Sequence, residues 1–288
     1  VNSENTQYQN HPVHIHRIGA ISYFNTRPLI YQLDQHPHVE LTRAVPAQLA
    51  HAINTNTVDT GLVPSIDYQH NGNDWLILPI AAIASDGPVL TVRIFSRQPP
   101  EKIHSLACDP DSHTSVTLAQ IVWQLKYHRS LDTTALPSRF DSADAVLLIG
   151  DKVIGQLDRW PYQFDLGQAW NELTQLPFVY AFWAVAARAK NTCEPLVKIL
   201  RQAFQQGSAN LQAIIDRYAE EHGFDTNLAR KYFAQNIHFD FGPKEQQGLK
   251  KFYELAHQFG LVPNLRPLKL FPIVDRWHRQ AGPGAWGR

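Results

Sequence analysis

The residues Gly19-Ala20-Ile21-Ser22-Tyr23-Phe24-Asn25-Thr26-Arg27-Pro28-Leu29 lead an apolar run into a polar corner and then a proline. Proline suits the first helical position, because its absent N–H would have had no partner there. The spacing therefore predicts a helix opening at Pro28, with the N–H groups of Asn25 to Arg27 pointing outward at its N-terminus. That geometry binds carboxylates and phosphates. Ser22, Asn25, Thr26 and Arg27 add side-chain donors to the same corner. A second polar stretch, Asp109-Pro110-Asp111-Ser112-His113-Thr114-Ser115, leads into another helical run, where Ser112, Thr114 and Ser115 supply hydroxyls. Taken singly, each corner is an ordinary strand-to-helix turn. Two of them, each with free N–H groups and a favourable dipole, suit a small molecule carrying two separated carboxylates.

Other chemistries find little footing. There is no GxxxxGK[ST] loop, no strand-linked GxGxxG, no GxSxG elbow and no HExxH. Arg27, Arg93 and Arg139 are the candidates for carboxylate pairing, with Arg27 best placed and Arg93 equally readable as an outward-facing strand residue. Asp86, Asp151 and Asp165 fall at strand or turn ends, where capping is the ordinary role. Trp160, Trp170, Trp183, Phe178 and Phe182 read as core. The 14 histidines are scattered, and the pairs His14/His16 and His36/His38 lack a companion ligand at metal spacing, so no metal or cofactor is expected. Cys108 and Cys193 show no CxxC spacing and read as buried free thiols of a reducing compartment. A formal net charge of +0 gives no field for nucleic acid, and no run reaches transmembrane length. The polar first 14 residues carry no secretory pattern.

At 288 residues and 44% apolar composition the chain can form two lobes. Residues 13–21, 39–44 and 60–63 read as strands, with helices at 28–33 and 46–54 between them, the pattern of a parallel sheet. Strands are expected at 75–84, broken by Pro79, at 89–96, 106–108, 145–149 and 177–186. A helix is expected at 116–127. Helices follow at 195–206, 208–222, 226–236 and 242–259, with Ser208 as a cap and Gly260 ending the last. The expected fold class is α/β: a two-lobed clamshell with two crossing strands, near 91–96 and 180–186, and C-terminal helices. Lobe 1 would comprise 13–92 plus 186–262 and lobe 2 93–185, with a leader at 1–12 and a tail or surface strap at 263–288. Ligands bind beyond the carboxyl ends of strands in such sheets. The corners at 22–27, 85–88, 109–115 and 150–151 would then converge on one cleft.

These segments resemble the chorismate dehydratase family of the futalosine route to menaquinone. Besides the corner beginning at Gly19, the matching pieces are Gly61-Leu62-Val63-Pro64-Ser65-Ile66-Asp67-Tyr68, Ile83-Ala84-Ser85-Asp86-Gly87-Pro88-Val89, Ser112-His113-Thr114-Ser115 and Leu147-Leu148-Ile149-Gly150-Asp151. Asp165-Leu166-Gly167, Trp170 and Leu176-Pro177-Phe178-Val179 continue the series, collinear over residues 17–260. The resemblance implies a type II periplasmic-binding-protein fold used as a cytoplasmic enzyme that removes water from chorismate, a dicarboxylate. It implies Asn25 and Ser85 as catalytic residues, and Ser22, Thr26, Arg27, Gly87, Thr91, Thr114, Ser115, Gly150 and Asp151 as substrate-binding ones. No histidine or glutamate is placed to act as the base, and one reading gives that role to the substrate's own side-chain carboxylate. The alternatives are the sister naphthoate-forming lyase of the same pathway and a solute receptor without catalysis.

Overall fold

The computed structural model describes residues 14–71, 74–136, 143–190 and 193–272. The expected leader and the end of the tail lie outside these. β1 (His16–Ile21), β2 (Val39–Ala44) and β3 (Thr60–Pro64) are parallel neighbours, and α1 (Pro46–Asn54) connects the last two. α1 has its predicted bounds because Pro46 opens it and Leu49, Ala50 and Ile53 bury one face. α2 (Asp67–Asn71) and β4 (Trp75–Ser85) follow. Pro79 lies within β4 rather than ending it, at a slip in the ladder between Ile77 and Ala82 that absorbs its missing N–H.

The second sheet holds β5 (Val92–Ser96), β6 (Ser105–Cys108), β7 (Asp132–Ala135), β8 (Ala145–Ile149) and β9 (Tyr162–Asp165), in the order β7-β6-β8-β5-β9. α3 (His113–Tyr127) joins β6 to β7 and begins three residues earlier than expected, which puts Thr114 and Ser115 in its first turn. After α4 (Leu166–Thr174), β10 (Phe178–Ala186) returns to the first sheet, whose order is β2-β1-β3-β10-β4. Both sheets follow one plan: three parallel strands, one antiparallel strand and an outer strand. β3, β8 and β10 are buried at every position, as their largely apolar character requires.

The two segments expected to cross between lobes are instead the first strands on the far side of each crossing. β5 pairs within the second sheet, and β10 pairs along its length with β3 and β4, although all of it but Ala186 was expected in lobe 2. The chain passes between sheets in the stretches 86–91 and 166–177.

The helical layer comprises α5 (Glu194–Ala209), α6 (Leu211–Tyr218), α7 (Thr226–Lys231) with a π-helical continuation Tyr232–Asn236, and α8 (Pro243–Gln258). Ser208 lies inside α5 and caps nothing, while Gly260 takes the left-handed φ of +72° expected after α8. Part of the tail is a strap. Phe271 N–H donates to Ile77 O at 2.8 Å, and Tyr68 Oη donates to Pro267 O at 2.8 Å.

The helix expected at Pro28 starts earlier. A 3-10 helix spans Phe24–Ile30 with Pro28 inside it, where the missing N–H keeps the run from continuing as an α-helix. α5 crosses over this turn at Gly207, whose missing side chain leaves room for the Pro28 carbonyl. Two sets of contacts pin the lobes together. On one side His113 Nδ1 lies 2.9 Å from Asp67 Oδ1, and Thr114 Oγ1 accepts from Ile66 N–H at 3.2 Å. On the other, Asp151 reaches from the second lobe to Phe24 N–H, at 3.2 and 3.3 Å from its two oxygens, and to His222 Nδ1 at 2.6 Å.

Two measurements test these contacts. A methyl at Gly207 would strike Pro28, so Gly207→Ala is expected to cost about 1–3 kcal/mol, as overpacking does, and to lower Tm. An unchanged Tm would mean that the α5 contact gives way freely. The hydrogen bond to Asp67 raises the pKa of His113 above its ordinary value. Stabilisation from that pair is then complete below about pH 6.5 and lost as pH rises through the raised value. Urea unfolding across this range should show a steeper loss of stability with rising pH in the native protein than in His113→Gln, and equal slopes would remove the pair from the account.

Candidate active site

Between the lobes lies a cleft enclosing about 530 Å³ of space between atoms, part of it open to solvent. Its apolar wall comes from Ile21, Ile83, Val89, Val92 and Ile149. Five of the sequence-predicted residues line it: Asn25, Thr91, Thr114, Ser115 and Gly150. They arrive from the turn after β1, the first crossing, the start of α3 and the end of β8, so three of the four predicted corners converge. Gly150 sits at φ +60°, and a Cβ there would come within 2.7 Å of the Tyr23 ring, so both backbone conformation and space require glycine. Its N–H donates to Thr91 O at 2.8 Å, which fixes the end of β8 against the crossing.

The other predicted residues do different work. Ser85 is outside the lining. Its Oγ lies 3.0 Å from Tyr180 Oη, and Tyr180 reaches the cleft in its place. Gly87, at φ +126°, takes the Ser85 hydroxyl on its carbonyl at 3.2 Å. Ser22 is exposed. Thr26 is fully buried behind Asn25, donating to its Oδ1 at 3.4 Å.

The arginines and aspartates correct the expected anion corner. Arg27 turns away from the cleft to His222 and Glu221 and lies 4.1 Å over the Tyr218 ring. Arg93 donates to Leu90 O at 3.0 Å and pairs with Asp165 at 3.3 Å. Arg139 lies outside the described residues. The Phe24 N–H, at the start of the 3-10 turn, is taken by the carboxylate of Asp151, so the anion bound at this corner belongs to the protein. Asp151 therefore ties the two lobes together and is not in the cleft lining. Asp165 caps α4 through Gln168 N–H at 3.0 Å and also accepts from Val89 and Leu90, as its place before a helix suggests.

Residues in and behind the cleft wall lie outside the expected set of site residues. Tyr23 and Ser112 line the cleft, and Tyr23 Oη and Ser112 Oγ are buried polar atoms with no partner among the described residues. Such atoms await a ligand or solvent. Both lie inside motifs visible in the sequence. Tyr180 lies in an apolar strand and Tyr232 in a C-terminal helix, where an aromatic reads as core. Tyr232 Oη is 3.2 Å from Asn25 Nδ2 and 2.9 Å from Thr91 Oγ1. Burial pushes the phenols of Tyr23, Tyr180 and Tyr232 well above the ordinary tyrosine range, so all three remain neutral hydrogen-bonding groups. Asp111 is the carboxylate of the lining, and Lys152 pairs with it at 3.2 Å. Among the described residues no cluster of His, Cys, Asp or Glu has the arrangement of a metal site, and no helix is long and apolar enough to cross a membrane. The arrangement presents neutral donors and the N-terminus of α3 to whatever occupies the cleft.

Solved structures share this fold. A protein of Archaeoglobus fulgidus superposes with TM-score 0.69 at 18% identity, covering 88% of this chain and 100% of its own. The periplasmic aliphatic sulphonate binding protein of Escherichia coli does so with TM-score 0.65 at 16% identity, covering 90% and 97%. The two-lobed periplasmic-binding-protein architecture expected from the sequence is thus the observed one. Among curated proteins, the chorismate dehydratase of Thermus thermophilus is 27% identical over 259 residues, 82% of this chain and 93% of the relative. The chorismate dehydratase of Campylobacter jejuni is 26% identical over 253 residues, 85% and 99%. The model of the family described as menaquinone biosynthesis matches residues 16–258, and the chain belongs to that family.

Proposed function

We propose that the protein is a carbon–oxygen lyase that dehydrates chorismate to 3-(1-carboxyvinyloxy)benzoate, a step toward menaquinone. The carrying observation is the cleft itself, where Asn25, Thr91, Thr114 and Ser115 converge as neutral donors beside the first turn of α3. One substrate carboxylate takes the end of α3, where first-turn N–H groups and the Thr114, Ser115 and unpartnered Ser112 hydroxyls meet. The ring end lies toward Asn25 and Thr91. The two relatives named chorismate dehydratase support the choice of substrate.

The chemistry needs orientation more than protein bases. The ring C–H beside the enol ether is conjugated through a ring double bond with the ring carboxylate. Removing that proton builds charge on the carboxylate, where fixed donors stabilise it as an oxyanion hole does. The neighbouring hydroxyl then leaves as water, taking a proton, and the ring becomes aromatic. Among the described lining residues there is no histidine, glutamate or lysine, and Asp111 is held by Lys152. This supports the substrate's side-chain carboxylate as the base, held against the C–H by the cleft.

Purified protein mixed with chorismate should consume it over many turnovers and give a product lighter by one water. Binding without turnover would favour a receptor. Neither would favour the sister lyase. Asn25→Ala should lower kcat by about 10²–10³-fold, the usual cost of losing one such donor, with the fold retained. Near-normal turnover by that variant would sink the assignment of Asn25.

A further inference from the structure

We propose that Tyr232 is the positioning residue of the site: its hydroxyl fixes the Asn25 amide and ties it to Thr91 at the crossing between the lobes. This rests on the dehydratase reading for its kinetic consequence and on geometry alone for its structural one. Tyr232 is 1% exposed, and its Oη accepts from Asn25 Nδ2 at 3.2 Å and lies 2.9 Å from Thr91 Oγ1. Asn25 and Thr91 line the cleft, whereas Tyr232 stands behind them. An exposed amide on a turn rotates freely about its side-chain bonds. Here Thr26 donates to Oδ1 at 3.4 Å while Tyr232 holds Nδ2, so both ends are engaged and the remaining hydrogen-bonding capacity faces the cleft.

The backbone is built to deliver this hydroxyl. α7 widens into a π-helix at Tyr232, closed by Ile237 N–H donating to Tyr232 O at 3.2 Å, five residues back. Such widened turns rotate the following side chains relative to an α-helix and recur at functional sites. The ring is clamped between Phe224 and Phe233, at 5.3 and 5.4 Å between centroids, which fixes its direction. Burial keeps the phenol protonated, so the group neither gains charge nor leaves the network over the working pH range. Thr91 in turn is bonded to Gly150 at the end of β8 through its carbonyl. One hydroxyl thus joins the Asn25 turn, the crossing and the second lobe.

The test uses Tyr232→Phe, which keeps the ring in its aromatic seat and removes only the hydroxyl. With chorismate, kcat should fall by about 10- to 100-fold, as small misplacements of reacting groups do, with KM within about threefold. The double variant with Asn25→Ala should be no slower than Asn25→Ala alone, because the phenol acts through Asn25. The side-chain amide resonance of Asn25, assigned by its loss in Asn25→Ala, should shift and broaden in Tyr232→Phe without any ligand. Near-native kcat with an unmoved amide resonance would overturn the proposal, as would losses that multiply in the double variant. If the native protein leaves chorismate untouched, the dehydratase reading fails and the amide resonance alone decides the positioning.

Discussion

The Asp151 carboxylate is the interaction on which the cleft depends. A half-buried carboxylate is costly unless its oxygens are hydrogen-bonded. Here the Phe24 N–H and His222 Nδ1 supply the bonds from the opposite lobe. The tautomer of His222 follows from its other neighbour. Arg27 lies 3.3 Å from Nε2 through its Nε and can only donate. Nε2 must therefore accept, and Nδ1 carries the proton that Asp151 receives. Donation thus runs from Arg27 through His222 to Asp151, which also accepts from the Phe24 N–H, and Asn25 is the residue next to Phe24.

This explains why so little charge enters the cleft. The cation best placed by sequence, Arg27, is spent on orienting a histidine, and the anion site it was expected to serve is filled from within. The lining keeps hydroxyls, an amide and the end of α3. Dipoles of fixed direction discriminate carboxylates by geometry, where a flexible ammonium would act as a point charge.

Much of the fold was legible. Periodicity located α1 to the residue, and largely apolar runs located β3, β8 and β10, because strands covered on both faces leave few polar positions. The site was legible as a set of corners and less so as a set of roles. Asp151 meets Phe24 across 127 residues, and Arg27 meets His222 across 195, so no local pattern reported either contact. Tyr232 was invisible for a different reason: its ring is core, and only its last atom belongs to the site. Ser85 was visible, yet its effect on the cleft passes through Tyr180, whose place in an apolar strand concealed it.

The strand order of the first sheet constrains how the chain acquires its structure. β3 and β4 are separated by β10, which is translated more than ninety residues after β4. Until β10 emerges, β4 has no neighbour on that flank, and the strap that bonds to Ile77 comes later still. The second sheet needs only the continuous segment from β5 to β9. On a growing chain the later-encoded lobe is therefore the first that can close its sheet. The earlier one waits with an open strand edge, the kind of exposed template that promotes misassembly.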